Sequence, residues 1–366
     1  MTESAEKLIR VRAYLKEHKL EGVVFNTRAN TAWLTGGGDF HIVSQDGGAF
    51  GALVVTAKNA FLVANRIEID RIANEEPCAG FTPKSFPWIE PMGEALPKLV
   101  GIKKDKLASD DAGLGFAPLP GDFIQGVRAP LSESEVRRYK SLGRDCSLVM
   151  ETVCRQISVG DSEHQVEGEM ARHLLARGVQ GHVLLVAFDE RIKRYRHPTP
   201  TANRLRHHAM LVICGQRGGL IACLTRFIHF GPVPPDILAR HEAVSRVELA
   251  MWHATKPGVT YGDALKAGIA QYAKEGFADE WELHHQGGPT GYAGREFLAT
   301  PGEKRVVIDK TAIAWNPSIT GAKTEDTYVL DGANRIVVTA CSDHWPQIKV
   351  TLPGAGTVSR PAILVR

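Results

Sequence analysis

Between residues 4 and 19, Leu8, Val11 and Leu15 recur at helical spacing among charged neighbours, which predicts an amphipathic helix. The compact apolar run at 22–25 predicts a buried strand. The apolar stretches 49–55 and 60–64, separated by a turn at Lys58 and Asn59, predict two more. Residues 26–38 read as a glycine-rich loop that continues through Asp39, Phe40 and His41. Helices are expected over 66–74 and 93–100, and a further strand at 106–108. This alternation of strands and helices predicts a small α/β domain.

Glycine and proline become frequent between 110 and 130, which sets the expected boundary between a first domain, 1–125, and a second, 126–366. Ser132 followed by Glu135 forms a capping-box pattern at the head of a helix reaching about 156. A second helix is expected over 161–178, with Asp161 as its cap. Strands follow at 182–188, 209–215, 218–225, 311–315 and 327–330, with helices over 233–255 and 261–276. Helices grouped with an antiparallel strand pair make the second domain α+β.

Composition removes several function classes. With 366 residues, 43% hydrophobic and 23% charged, the chain has material for about two cores. Its net charge of +3, without basic runs interleaved with aromatics, gives no reason to invoke nucleic acid. No apolar run predicts a membrane span, and the polar N-terminus carries no signal-peptide pattern. The six cysteines are scattered with no CxxC pair, so a reducing compartment, the cytoplasm, is the expected location.

Chemistry concentrates in residues 281–296, which hold His284, His285, Tyr292, Arg295, Glu296 and four glycines. Dense glycine marks tight turns or close approach to a ligand, imidazoles move protons or bind metals, and a guanidinium grips carboxylates. Three further pieces accompany it: Arg-Tyr-Arg-His-Pro-Thr-Pro-Thr at 194–201, Cys-Gly-Gln-Arg-Gly-Gly-Leu-Ile-Ala-Cys-Leu-Thr-Arg at 214–226, and Ala-Trp-Asn-Pro-Ser-Ile-Thr-Gly-Ala-Lys-Thr-Glu-Asp-Thr at 314–327.

In order and rough spacing these pieces resemble the pita-bread superfamily of methionine and Xaa-Pro aminopeptidases, prolidase and creatinase. The Asn-Thr-Ala-Trp-Leu-Thr-Gly pattern at 30–36 resembles a turn of creatinase- and prolidase-type N-terminal domains. The resemblance implies an α/β N-terminal domain followed by an α+β pita-bread domain. The metallopeptidases of the superfamily hold two metal ions with two Asp, one His and two Glu. Carried onto this chain, those positions fall near Val212 or Ile213, then on Cys223, His285, Asn316 and Glu325. Three of the five have changed, and one carboxylate remains.

A dinuclear centre needs several carboxylates as hard ligands and to offset charge, so no metal and no other cofactor is expected. Creatinase is the member of the superfamily that works without metal. By resemblance to it, His197 is the proton-transferring histidine, His285 the second active-site histidine and Glu325 a holder of the substrate's cationic or amide-like group. Arg295 is the grip on a substrate carboxylate, while Tyr292, Glu296, Asn316 and Cys223 are further substrate-facing candidates. The implied activity is metal-independent hydrolysis of a C–N bond in a small, carboxylate-bearing molecule. A homodimer is implied as well, with the Gly36–His41 loop reaching towards the partner. Two alternatives stand beside it: an Xaa-Pro peptidase with one metal on Cys223, His285 and Glu325, and a peptide-binding protein without catalysis.

Overall fold

The computed structural model describes residues 2–44, 48–121 and 123–366, so Asp122, in the glycine- and proline-rich stretch, lies outside it. The chain divides into two compact units, residues 1–135 with 218–220, and residues 136–217 with 221–366. Among the described residues no helix is long and apolar enough to cross a membrane.

The first unit runs α1 (Glu3–Glu17), β1 (Gly22–Thr27), α2 (Arg28–Thr35), β2 (Gly48–Thr56), β3 (Ala60–Asn65), α3 (Ile69–Glu75), β4 (Thr82–Phe86), α4 (Met92–Val100), β5 (Leu107–Ser109) and β6 (Ala117–Pro118). Its six strands form one sheet in the order β4-β3-β2-β1-β5-β6, an α/β arrangement. The core under the sheet includes Val24, Val54, Val63 and Leu96.

The main departure from expectation is α2, which replaces part of the predicted loop. Thr27 accepts from the Asn30 N–H as N-cap, and Gly36, at φ 80°, closes the last turn. Asp110 holds this corner by accepting from the backbone N–H groups of Asn26 and Thr27 and from the Asn30 amide. Trp33 and Leu34 are fully buried. Long-range contacts thus make a helix of a segment whose composition reads as loop.

The second unit contains most of α5 (Glu133–Gln156), then α6 (Glu163–Leu175), β7 (Gln180–Phe188), α7 (Glu190–Arg194), β8 (His208–Arg217), β9 (Leu220–His229), α8 (Pro235–Ala254) and α9 (Tyr261–Lys274). It continues with β10 (Gly287–Thr290), β11 (Ala312–Trp315), β12 (Ser318–Ile319), β13 (Ala322–Lys323), β14 (Asp326–Asp331), β15 (Asn334–Val337), β16 (Gln347–Leu352), β17 (Gly356–Pro361) and β18 (Leu364–Val365). Two four-stranded sheets result, β18-β9-β8-β7 and β10-β11-β14-β15. The main core joins Val247 and Met251 of α8 and Leu265 and Tyr272 of α9 to Trp315 and Tyr328.

The capping box at α5 forms as read: Ser132 N–H donates to Glu135 at 2.7 Å, and Glu135 N–H to the Ser132 hydroxyl at 3.3 Å. At α6 the cap is Ser162, in a full box with Gln165, and not Asp161. Asp161 instead accepts the Ser158 N–H at 2.7 Å, which fixes the approaching turn. Gly218 and Gly219 form the β8–β9 turn rather than starting the second strand, since both have positive φ, 54° and 78°.

β10 lies where glycine and proline argue against a strand. A Cβ at Gly287 would meet the Ala314 carbonyl oxygen at 2.2 Å, so the glycine exists for the close approach of β10 to β11. That approach delivers the residues on either side of β10 to the site.

Candidate active site

One wall of a cavity of about 320 Å³ is built from alternate residues of two paired strands, Val183 and Leu185 of β7 and Val212 and Cys214 of β8. Alternation along a strand puts such residues on one face, so the wall is largely apolar. Its polar side comes from elsewhere. His197 follows α7, His285 precedes β10, Arg295 follows it, Asn316 follows β11, Lys323 ends β13, and Glu325 lies between β13 and β14.

Glu325 is buried, and three partners hold it there. Arg295 Nη2 donates to Oε1 at 2.8 Å, Lys323 Nζ lies 3.1 Å from Oε2, and the Thr225 hydroxyl donates to Oε2 at 2.9 Å. Burial pushes the carboxyl up, but Lys323 and Arg295 outweigh it and hold Glu325 down at about 2. The other arm of the guanidinium meets Cys223 Sγ at 3.4 Å and the Gly294 carbonyl at 2.5 Å. Two side-chain cations thus serve one carboxylate. The inner site carries an excess of positive charge, suited to a bound carboxylate or a developing oxyanion.

Three imidazoles stand beside this cluster. His197 Nε2 and His284 Nε2 are 3.0 Å apart, so one ring donates to the other, and ring centroids among the three lie 4.5–5.4 Å apart. Burial, and then the nearby cations, lower all three from the ordinary histidine value; His285 falls to about 4. Each ring is neutral at pH 7, with a lone pair available to take a proton. His284 Nδ1, His285 Nδ1 and Asn316 Oδ1 are buried with no protein partner, which suits a ligand with its own polar atoms.

The Cys214 and Cys223 sulfurs lie within 4.8 Å of each other, and their mutual interaction raises the Cys214 pKa and lowers that of Cys223, an effect Arg295 reinforces at Cys223. Cys223 is fully buried and lies behind the pocket wall rather than in it.

Five of the residues expected from the sequence, His197, His285, Arg295, Asn316 and Glu325, therefore line one cavity. Tyr292 and Glu296 do not: the Tyr292 hydroxyl accepts from Arg138 at 2.8 Å, and Glu296 accepts the Tyr292 N–H at 3.1 Å. The sequence reading left out Lys323, Cys214 and His182 from the cavity wall, and His284 as partner of His197. The His-His doublet was a signal for His284, and Lys323 stands two residues before Glu325.

Residues 137–331 match metallopeptidase family M24, and residues 7–137 match the creatinase/prolidase N-terminal domain. The first match covers more than half of the chain, which belongs to family M24 and to the pita-bread superfamily. A Bacillus subtilis (strain 168) protein, YkvY, provisionally named a dipeptidase, is 22% identical over 87% of this chain and 93% of its own length. Among solved structures, dipeptidase PepE from Mycobacterium ulcerans superposes with a TM-score of 0.75 at 20% identity, covering 93% of this chain and 96% of that one. The Xaa-Pro dipeptidase from Bacillus anthracis gives a TM-score of 0.75 at 14% identity, over 99% and 100% of the two chains. At these identities the superpositions establish the shared fold.

The family description implies metal ions, and the donor set here does not suit a dinuclear centre. Of the ligand positions carried over from the superfamily, Val212 offers no donor, Asn316 only a neutral amide, and Cys223 and Glu325 are already bound to the Arg295 guanidinium. A dication placed there would sit against two fixed cations with one carboxylate to offset it.

Proposed function

We propose that the protein hydrolyses a C–N bond in a small peptide-like or acylamino-acid-like substrate through its own side chains. The observation that carries this reading is the occupation of Glu325 by Arg295 and Lys323, which puts protein cations where the superfamily places metal ions. The substrate's apolar part packs on Val183, Leu185 and Val212, and its carboxylate or nascent oxyanion faces Lys323 and the outer edge of Arg295. His197 takes a proton from the attacking water and returns it to the leaving nitrogen, with His284 sharing the proton across their 3.0 Å contact. The Arg295–Glu325 pair reassigns the two residues: both hold the charge distribution of the pocket, and Lys323 becomes the freer cation for substrate.

The relatives named as dipeptidases support a peptide-like substrate. Six cysteines without a disulfide among the described residues support a reducing compartment. The test is elemental analysis of purified protein together with a turnover screen over dipeptides and N-acyl amino acids, before and after exhaustive chelation. Turnover that survives chelation is expected. A stoichiometric transition metal whose removal abolishes turnover overturns the reading in favour of the second one, a metal-dependent Xaa-Pro peptidase. The observations favouring that second reading are the match of residues 137–331 to metallopeptidase family M24, the likeness to an Xaa-Pro dipeptidase, and the ligand atoms of Cys214, Cys223 and Glu325, all within 4.8 Å of one another.

A further inference from the structure

The strands behind the pocket carry two thiols that the hydrolytic reading does not use. β8 and β9 are neighbours in one sheet, with Cys214 on the first and Cys223 on the second. Their sulfurs lie within 4.8 Å of each other. Neighbouring strands lie about 4.7–4.9 Å apart, within the Cα span that a disulfide bridges. Access is one-sided: Cys214 lines the cavity, while Cys223 is sealed behind it against Arg295 Nη1 at 3.4 Å.

We propose that Cys214 and Cys223 are an oxidative modification site, closed into a reversible disulfide by a small peroxide entering through the pocket. The Cys214 sulfur attacks one peroxide oxygen, the O–O bond breaks, and a sulfenic acid and one water form. The Cys223 sulfur then attacks the Cys214 sulfur, its S–O bond breaks, and the hydroxide leaves with the remaining thiol proton as a second water. Two thiols are oxidised to one disulfide, and the peroxide is reduced by two electrons. Bonded to Cys214, the Cys223 sulfur becomes a poor acceptor for Arg295, so the guanidinium that serves Glu325 loses its sulfur contact and keeps only the Gly294 carbonyl on that arm. The expected loss of turnover rests on the hydrolytic reading, whereas the bond itself does not.

The experiment treats the full-length protein with a small molar excess of hydrogen peroxide, alkylates the remaining thiols, and measures intact mass and a peptide map. The expected result is a loss of two hydrogens, disappearance of two of the six free thiols, and a cross-link between the Cys214 and Cys223 peptides that dithiothreitol reverses. Cys223→Ser removes that cross-link, and the wild-type map decides the matter even if this variant fails to fold. Retention of all thiols, a cross-link to Cys146, which packs beside Gly215, or irreversible oxygen addition at a single cysteine overturns the proposal. If the cross-link forms and turnover is unchanged, the modification site stands and the role given to Arg295 in hydrolysis falls.

Discussion

Arg295 donates through Nη2 to Glu325 Oε1 at 2.8 Å, with both side chains buried. Removing one member of a buried pair leaves the other charge uncompensated. Lys323 remains on Glu325, so Arg295→Ala is expected to cost about 3 kcal/mol, the lower end for such pairs. Arg295→Lys keeps the charge but cannot span Glu325 and Cys223 together, and recovers about half of that loss. Urea unfolding midpoints measure both. Equal stability of wild type and Arg295→Ala would remove the ion pair from its structural role.

His197 and Lys323 fail differently under the proposed hydrolysis. His197→Ala removes a proton carrier, so kcat is expected to fall ~100-fold with KM little changed. Lys323→Met removes a charge that faces substrate, and KM for carboxylate-bearing substrates is expected to rise by ~10-fold or more, as for loss of a charged hydrogen bond. Steady-state kinetics on one substrate separates the two patterns. A shared pattern would contradict the division of labour.

The grouping of the candidate site was legible where residue type and motif order coincide, as at His197, His285, Arg295, Asn316 and Glu325, which line one cavity. Pairings across the chain were not. Nothing in the sequence shows that Arg295 bonds to Glu325 thirty residues away, or that Tyr292 turns to Arg138. In the fold, long periodic helices such as α5 and α8 were clear. α2 and β10 were not, because Asp110 and the β11 backbone, far along the chain, decide their conformation. Local pattern carries the first kind of information, and tertiary contact carries the second.

Gly287 was read as part of a glycine-rich turn or ligand approach, and its constraint turns out to be the neighbouring strand. Its φ is 95°, and an added Cβ would meet the Ala314 carbonyl oxygen and the Asn316 side chain. Backbone cannot yield as a flexible side chain does, so Gly287→Ala is expected to destabilise by more than ~3 kcal/mol or to prevent folding. Gly276 is also at positive φ, 82°, but faces open space, so Gly276→Ala pays conformational strain alone, about 1 kcal/mol. Thermal unfolding of the two variants measures the difference. Similar melting temperatures would mean that β10 and β11 separate easily.

Acid stability can be tested at His208, on β8 and outside the lining of the candidate cavity. Its Nδ1 lies 3.0 Å from the Ile228 carbonyl oxygen, which can only accept, so the N–H is at Nδ1. The opposite nitrogen, Nε2, is buried with no partner, and the ring stacks on Phe227 at 5.3 Å. Protonation would create a buried N–H without an acceptor. Burial therefore lowers the pKa from 6.5 to about 4, with His229 and His241 adding to the effect against Ile228 and Asp189. A histidine with a depressed folded-state pKa contributes stability that is fully present above its unfolded value and is lost as pH falls towards the folded one. Over pH 6.5 to 4 the unfolded chain binds the proton first, and the loss from this residue is about 3 kcal/mol. His208→Phe keeps an aromatic ring against Phe227 and cannot titrate. Its unfolding free energy is expected to fall less steeply between pH 7 and 4.5 than that of wild type, even if it is lower at pH 7 for want of the Ile228 hydrogen bond. Parallel pH profiles for the two proteins would show that His208 does not bind the proton differently in the folded and unfolded states.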